Sequence, residues 1–187
     1  MGNFLPFILV CAFVIACAIV PYVFACLGLY TIAKRRGIRN AWLAWIPVGS
    51  EWIVGCIADQ YQQRANGRNT NRRTTLLVLA IAMASLFGLV LTLSVAEAVM
   101  EMAGAVDATA IGAFLLASLL YSGVSVAYAV IYYIALHNLY TSCMPNVSTL
   151  FLLLSIFVSG LSPFLVFACR KKDGGMSATR LRFRADW

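Results

Sequence analysis

Residues 147–168 read VSTLFLLLSIFVSGLSPFLVFA, a run without a charge, interrupted by Ser159-Gly160-Leu161-Ser162-Pro163. A run of this length can cross a bilayer core, which takes about 20 apolar residues. The interruption offers a second solution, two arms of about ten residues that enter and return, provided the turn finds hydrogen-bond partners inside protein or a wet crevice. The choice decides the fold, because Arg170, Lys171, Lys172, Arg180, Arg182 and Arg184 all follow the run.

Three more uncharged stretches precede it, at 4–33, 74–96 and 108–136, each long enough to span. The other eight of the fourteen Lys and Arg lie between Lys34 and Arg73, whereas the connector from Glu97 through Glu101 to Asp107 has none. Basic residues gather on the cytoplasmic side. The rule therefore places the amino terminus outside, the basic loop inside and His137 back inside after three crossings. A straight fourth crossing would strand the basic tail 169–187 outside. The expected fold is all-α and polytopic, a single integral membrane domain over 1–187. It has three full transmembrane helices plus two partial segments, 41–58 and 147–168, with four transmembrane helices as the alternative.

Composition agrees with lipid as the solvent. The chain is 62% apolar and 11% charged, against about half and about a quarter for a soluble domain. Its net charge of +7 accompanies no nucleic-acid-reading pattern, which leaves anionic lipid headgroups as the partner and excludes nucleic acid. Six cysteines lack any C-x-x-C pairing and sit mostly in apolar runs, where a thiol acts as a small hydrophobe. Val14-Ile15-Ala16-Cys17 resembles a lipoprotein cleavage box, but no Lys or Arg precedes the run and its apolar character continues to Ala33, as in a retained helix.

The stretch 41–58, AWLAWIPVGSEWIVGCIA, is apolar yet broken by Pro47, Gly49 and Glu51, a poor span. On a helical wheel Trp42, Trp45 and Trp52 share one side with Glu51 roughly opposite. That fits an interfacial or re-entrant element with tryptophans at headgroup level, or a loop helix packed on the spans. Residues 59–73 read as a polar loop. Pro21 is expected to bend the first span and Gly28 to loosen its end. Ala80, Ala84 and Gly88 form a small-xxx-small face suited to close helix contact, and Ser118, Ser122 and Ser125 form a packing seam. The candidate lipid or partner contacts are Trp42, Trp45, Trp52, Lys34, Arg35, Arg36, Arg170, Lys171 and Lys172.

Chemistry is harder to find. His137 is the lone histidine, placed at the end of the third span where a helix C-terminus favours its protonated form. It is too far along the helix from Ser125 to serve it as a base. Glu51, Asp59 and Glu97 are the ionisable candidates near membrane depth, each close to a segment end where it can reach water. No phosphate loop, zinc motif or paired intramembrane aspartates appear, so no catalytic residue, metal or cofactor is expected.

The motifs Ala33-Lys34-Arg35-Arg36-Gly37-Ile38, Ala41-Trp42-Leu43-Ala44-Trp45-Ile46-Pro47-Val48-Gly49 and Ile57-Ala58-Asp59-Gln60-Tyr61 carry a resemblance. So do the late motifs Leu139-Tyr140-Thr141-Ser142-Cys143-Met144-Pro145, Leu153-Leu154-Ser155-Ile156-Phe157, Pro163-Phe164 and Arg170-Lys171-Lys172-Asp173-Gly174-Gly175-Met176. On these the chain resembles a family of small uncharacterised bacterial multi-pass membrane proteins. The middle spans match that family only in hydropathy, and Ser177-Ala178 stands where a proline pair is expected. The resemblance implies a bacterial cytoplasmic-membrane setting and no reaction. The expected function is a small subunit, scaffold or regulator that binds anionic lipid and other membrane chains or itself. The alternative is a transporter or channel component with a cavity formed by the broken segments, and a membrane enzyme ranks third.

Overall fold

The structure, a computed structural model, describes residues 4–67, 70–102 and 108–174. Arg68, Asn69, Asp107 and the tail from Gly175 onward, with Arg180, Arg182 and Arg184, lie outside the described residues. Helix α1 covers Phe4–Arg35, a short 3-10 turn covers Ala41–Trp45, and α2 runs over Pro47–Asn66. Then come α3 at Arg72–Met102, α4 at Ala108–Cys143, α5 at Ser148–Phe157 and α6 at Ser162–Cys169. No strand occurs among the described residues. The protein is an all-α polytopic membrane protein. Three of its helices are long and apolar enough to cross a bilayer, within Ile15–Arg35, Arg72–Met102 and Ile111–Cys143.

Residues 147–168 turn back. The run breaks at Val158, where the helix ladder stops, and resumes at Ser162 with Pro163 in the first turn of α6. Its two ends meet: the Cys143 and Cys169 thiols hydrogen-bond to each other, and the Gly174 backbone abuts the Cys143 carbonyl. Tyr140 ties α4 to α5 through a 2.9 Å hydroxyl bond with Ser155 and an edge-on contact with Phe151. The returning arm α6 lies on α1. A Cβ on Gly28 would sit 3.0 Å from the Phe167 backbone, so Gly28 admits α6 rather than loosening the end of α1. Phe24 stacks against Phe164 and Phe167 beside it.

The stretch 41–58 is also folded on itself, so the single-wheel reading of its tryptophans does not hold. The turn Ala41–Trp45 doubles back along α1, where Tyr22 donates its hydroxyl to the Trp45 carbonyl. At Ile46 the backbone is extended, and Pro47 starts α2. Glu51 bonds to Tyr128 and Gln62 to Asn138. Eleven residues on α2 thus match ten on α4, so the two helices run in the same direction. Pro47 is the deep end and Asn66 the basic end.

Three expected boundaries move. Residues 59–66 continue α2 until Gly67 closes it in a left-handed conformation, and Arg72 and Arg73 already belong to α3, so most of 59–73 is helix. Glu97 and Glu101 belong to α3, not to a connector. His137 is a helix-interior residue because α4 persists to Cys143, which removes the helix-terminus argument for its charge.

The core is confined to one half of the molecule. Ile32, Ile53, Ile57, Leu76, Leu136, Leu139, Tyr140 and Cys169 are all completely or almost completely buried, and most lie toward the basic end. Among the described residues the far portions of α3 and α4 pack on each other; only 6% of each spanning window is buried, against 22% for α1. Helix α1 packs on α6, the 41–45 turn and α2 instead of lying along α3 or α4.

Candidate functional site

The most polar cluster lies where α1, α4 and the chain after α6 end together. Arg36, one residue beyond α1, is turned inward with its side chain 4% exposed. Its Nη2 donates to Ser142 Oγ at 2.9 Å, to Cys143 Sγ at 3.4 Å and to Asp173 Oδ1 at 3.1 Å. Arg35 grips the other carboxylate oxygen of Asp173 at 2.6 Å and gives a second bond to the Arg170 carbonyl. One aspartate thus closes a two-arginine clasp across 137 residues of sequence. The basic motif at 34–36 and the closing motif at 170–173 are halves of one structural unit.

This corrects the expectation for Arg36, which is a buried clasp residue and not a headgroup contact. Arg35 is shared between solvent and clasp, and Arg170 lays its guanidinium 3.6 Å over the Phe167 ring. Lys34, Lys171 and Lys172 do project outward. Of the tryptophans, Trp42 and Trp45 are exposed whereas Trp52 packs against the core. Asp173, Ser142, Cys143 and Cys169 were not among the sequence candidates. A lone Asp in a Lys-rich tail gives no local sign that it pairs with α1.

Asp59 has a defined task. Its Oδ1 accepts from Thr70 Oγ1 at 2.6 Å and from the Arg72 backbone N–H at 3.1 Å, while Oδ2 accepts from the Arg73 N–H at 3.1 Å. It caps α3 from another helix, supplying the acceptors that the first turn lacks. Close approach makes this possible, since a side chain on Gly55 would collide with the Arg73 backbone.

Glu51 is the unusual ionisable residue. It bonds to Tyr128, about 15 Å along α4 from the Asn138 level, and its Oε2 is buried without a partner. Burial pushes its carboxyl up to about 7, with the Tyr128 bond pulling the other way.

The remaining candidates have plainer surroundings. The hydroxyls of Ser118, Ser122 and Ser125 donate to carbonyls three residues back in α4, the self-satisfying arrangement open to serine in an apolar helix. Ala80 is half-buried, whereas Ala84 and Gly88 are exposed and a Cβ on Gly88 would meet nothing. Among the described residues, no other helix occupies that part of the face. His137 lies on α4 amid the helix, its carbonyl accepting from Thr141. No metal-holding group of three His, Cys, Asp or Glu occurs among the described residues. The two broken segments pack on different flanks, the second on α1 through α6 and on α4 through α5, the first on α1, α3 and α4 through α2.

A polar cavity of about 430 Å³ opens at the basic end between the 37–39 turn, α2 and the start of α3. Cys56 lines it, its thiol pushed up to about 11 by burial, and so is neutral rather than nucleophilic.

Two predictions follow the clasp and the carboxyl. Asp173→Ala leaves Arg36 buried and uncompensated, which should cost about 2–4 kcal/mol in detergent unfolding and open Cys143 and Cys169 to alkylation. Replacing both partners (Arg36→Met with Asp173→Ala) should cost less than Asp173→Ala alone, and unchanged thiol protection in Asp173→Ala would refute the clasp. For Glu51, the folded carboxyl holds its proton above its unfolded value of 4.5. Stability is therefore full below pH 4.5 and declines as pH rises through 7, by about 3 kcal/mol. Glu51→Gln should flatten that slope, and a slope unchanged by the substitution would contradict the burial argument.

Among known proteins, no family model, no curated protein and no solved structure matches the chain.

Proposed function

We propose that the chain is a non-catalytic integral membrane protein, a small subunit, scaffold or regulator that binds other membrane chains or its own copies together with anionic lipid. The observation that supports this reading is the division of the molecule. The half near the basic end is packed and polar-clasped, whereas the far halves of α3 and α4 project as a two-helix arm with almost no cover.

Exposure to lipid is not by itself a demand for a partner, because hydrocarbon wets an apolar helix as well as protein does. The arm adds a steric opportunity. Ala84 and Gly88 leave open space where another helix backbone can approach closely, which is how helices gain dispersion contact in lipid. Outward Lys34, Lys171 and Lys172 supply attraction to anionic headgroups, about 1 kcal/mol each near the surface. The setting is a bacterial cytoplasmic membrane with the amino terminus outside and the basic end inside.

Extraction into native-lipid particles should yield a complex heavier than one chain, and Gly88→Leu should weaken that association about tenfold by filling the approach. A wild-type chain that emerges alone and monomeric would defeat the proposal. Orientation is read separately. Met102, 90% exposed at the end of α3, should be labelled as Met102→Cys by an impermeant thiol reagent on intact cells, and Lys171→Cys only after permeabilisation. The reverse pattern would invert the topology.

A further inference from the structure

The polar cavity at the basic end is built from three separate parts of the chain. Arg39 comes from the turn after α1, Trp52 and Gln60 from α2, and Asn71 and Arg73 from the entry to α3. Its volume of about 430 Å³ is in the range of small-molecule sites. Nothing in the clasp, the Asp59 cap or the projecting arm explains why such a space is kept open.

Its charges point to an anion. Arg39 and Arg73 each contribute +1, and Asp59 in the same wall contributes −1, a balance of +1. The aspartate is already committed, with one oxygen holding Thr70 and Arg72 and the other Arg73 N–H. The Arg73 backbone is thereby fixed while its side chain borders the cavity. The rest of the wall includes three neutral amides, Gln60, Gln63 and Asn71. Gln60 gives its Nε2 to the Arg36 carbonyl at 3.3 Å, and its buried Oε1 has no donor among the described residues. A site with a net positive charge, two guanidinium forks and several amides suits a phosphate ester that carries hydroxyl groups. Trp52 supplies an apolar wall for the carbon skeleton.

We propose that this cavity binds a hydroxyl-bearing phosphate ester, either the headgroup of a phosphatidylglycerol-type lipid or a soluble polyol phosphate of the same chemistry. The proposal deepens the lipid-binding part of the function above by giving it a place. It does not need the association of chains. Arg39 and Arg73 hold the phosphate, and Gln60 and Asn71 take the hydroxyls. The cavity stands level with the ends of α1 and α4, where Gln60 reaches Arg36 and Gln62 reaches Asn138. This is the level at which headgroups meet the chain when α3 and α4 cross the bilayer.

The test uses the full chain in phosphatidylcholine nanodiscs doped with phosphatidylglycerol, with bound lipid counted by native mass spectrometry after mild detergent washing. Wild type should retain phosphatidylglycerol over phosphatidylcholine. Arg39→Gln with Arg73→Gln should lose about tenfold in retention at unchanged helical content. Arg182→Gln with Arg184→Gln removes the same charge from the basic tail and should retain the lipid. A parallel titration of glycerol 3-phosphate onto lipid-free protein in detergent identifies the source. Arginine-dependent binding there assigns the site to a soluble ester, and binding of phosphatidylglycerol alone assigns it to the bilayer. The proposal is overturned if the Arg39/Arg73 variant retains lipid like wild type and binds glycerol 3-phosphate no more weakly. It is equally overturned if the Arg182/Arg184 variant falls as far, since attraction would then be diffuse. A monomeric chain that still holds phosphatidylglycerol through Arg39 and Arg73 removes the association reading and leaves this one standing.

Discussion

The fold depends on a charge that must not be left alone. Arg36 is carried out of water at the end of α1, and a guanidinium in that position is tolerable only with a counter-ion and acceptors at hand. Asp173 and Ser142 provide them, at 3.1 and 2.9 Å. Meeting that requirement fixes several other things. The chain after α6 must return to the level at which α1 ends, so the preceding apolar run must turn back. Cys143 must lie beside the clasp, so α4 must end there too. The core then forms where these ends converge, from Ile32, Leu139, Cys143 and Cys169.

A second requirement comes from backbone groups. Broken helices at the depth of a bilayer leave N–H and C=O groups that hydrocarbon cannot satisfy. Both hairpins meet this by staying close to intact helices. The 41–45 turn gives its Trp45 carbonyl to Tyr22 of α1, and the α5–α6 turn hands its Leu161 N–H back to Val158. Glycine determines how close the arms can come, with Gly28 admitting α6 and Gly55 admitting α3. Where a larger residue would hold two helices apart, the polar contacts that depend on proximity, such as Asp59 on Arg73, would be lost with it.

Much of this was legible in the sequence, and the limits are physical. The turn in 147–168 followed from charge: six basic residues after it had to share a side with eight before, and only an even number of passes allows that. Pro47 and Gly49 likewise marked 41–58 as unable to cross. What charge parity cannot reveal is pairing at a distance. Arg36 and Lys34 look alike in the sequence, yet one is buried and the other exposed, because only tertiary structure brings Asp173 to one of them. The stretch 59–66 read as loop for a related reason. Its polarity is that of a helix whose outer side faces water at the membrane edge, and polarity alone does not separate that from a loop. The serine row of α4 was legible as a row, but where its hydroxyls go is a matter of geometry, and Ser118, Ser122 and Ser125 donate to their own helix.

The same physics accounts for the unequal halves. In water an uncovered arm such as α3–α4 would collapse onto the rest of the chain, because apolar exposure is costly there. In lipid that cost disappears, and helices associate only where shape or polar bonds favour it. Near the basic end both are abundant: the two-arginine clasp, the Asp59 cap, the Glu51–Tyr128 bond and the close glycine contacts. Toward the far end the polar side chains of α4 satisfy themselves within their own helix, and nothing remains to draw α1 in. The arm is therefore a consequence of where the hydrogen-bonding groups were spent. Any helix that joins it must bring packing, not hydrophobicity, as its contribution.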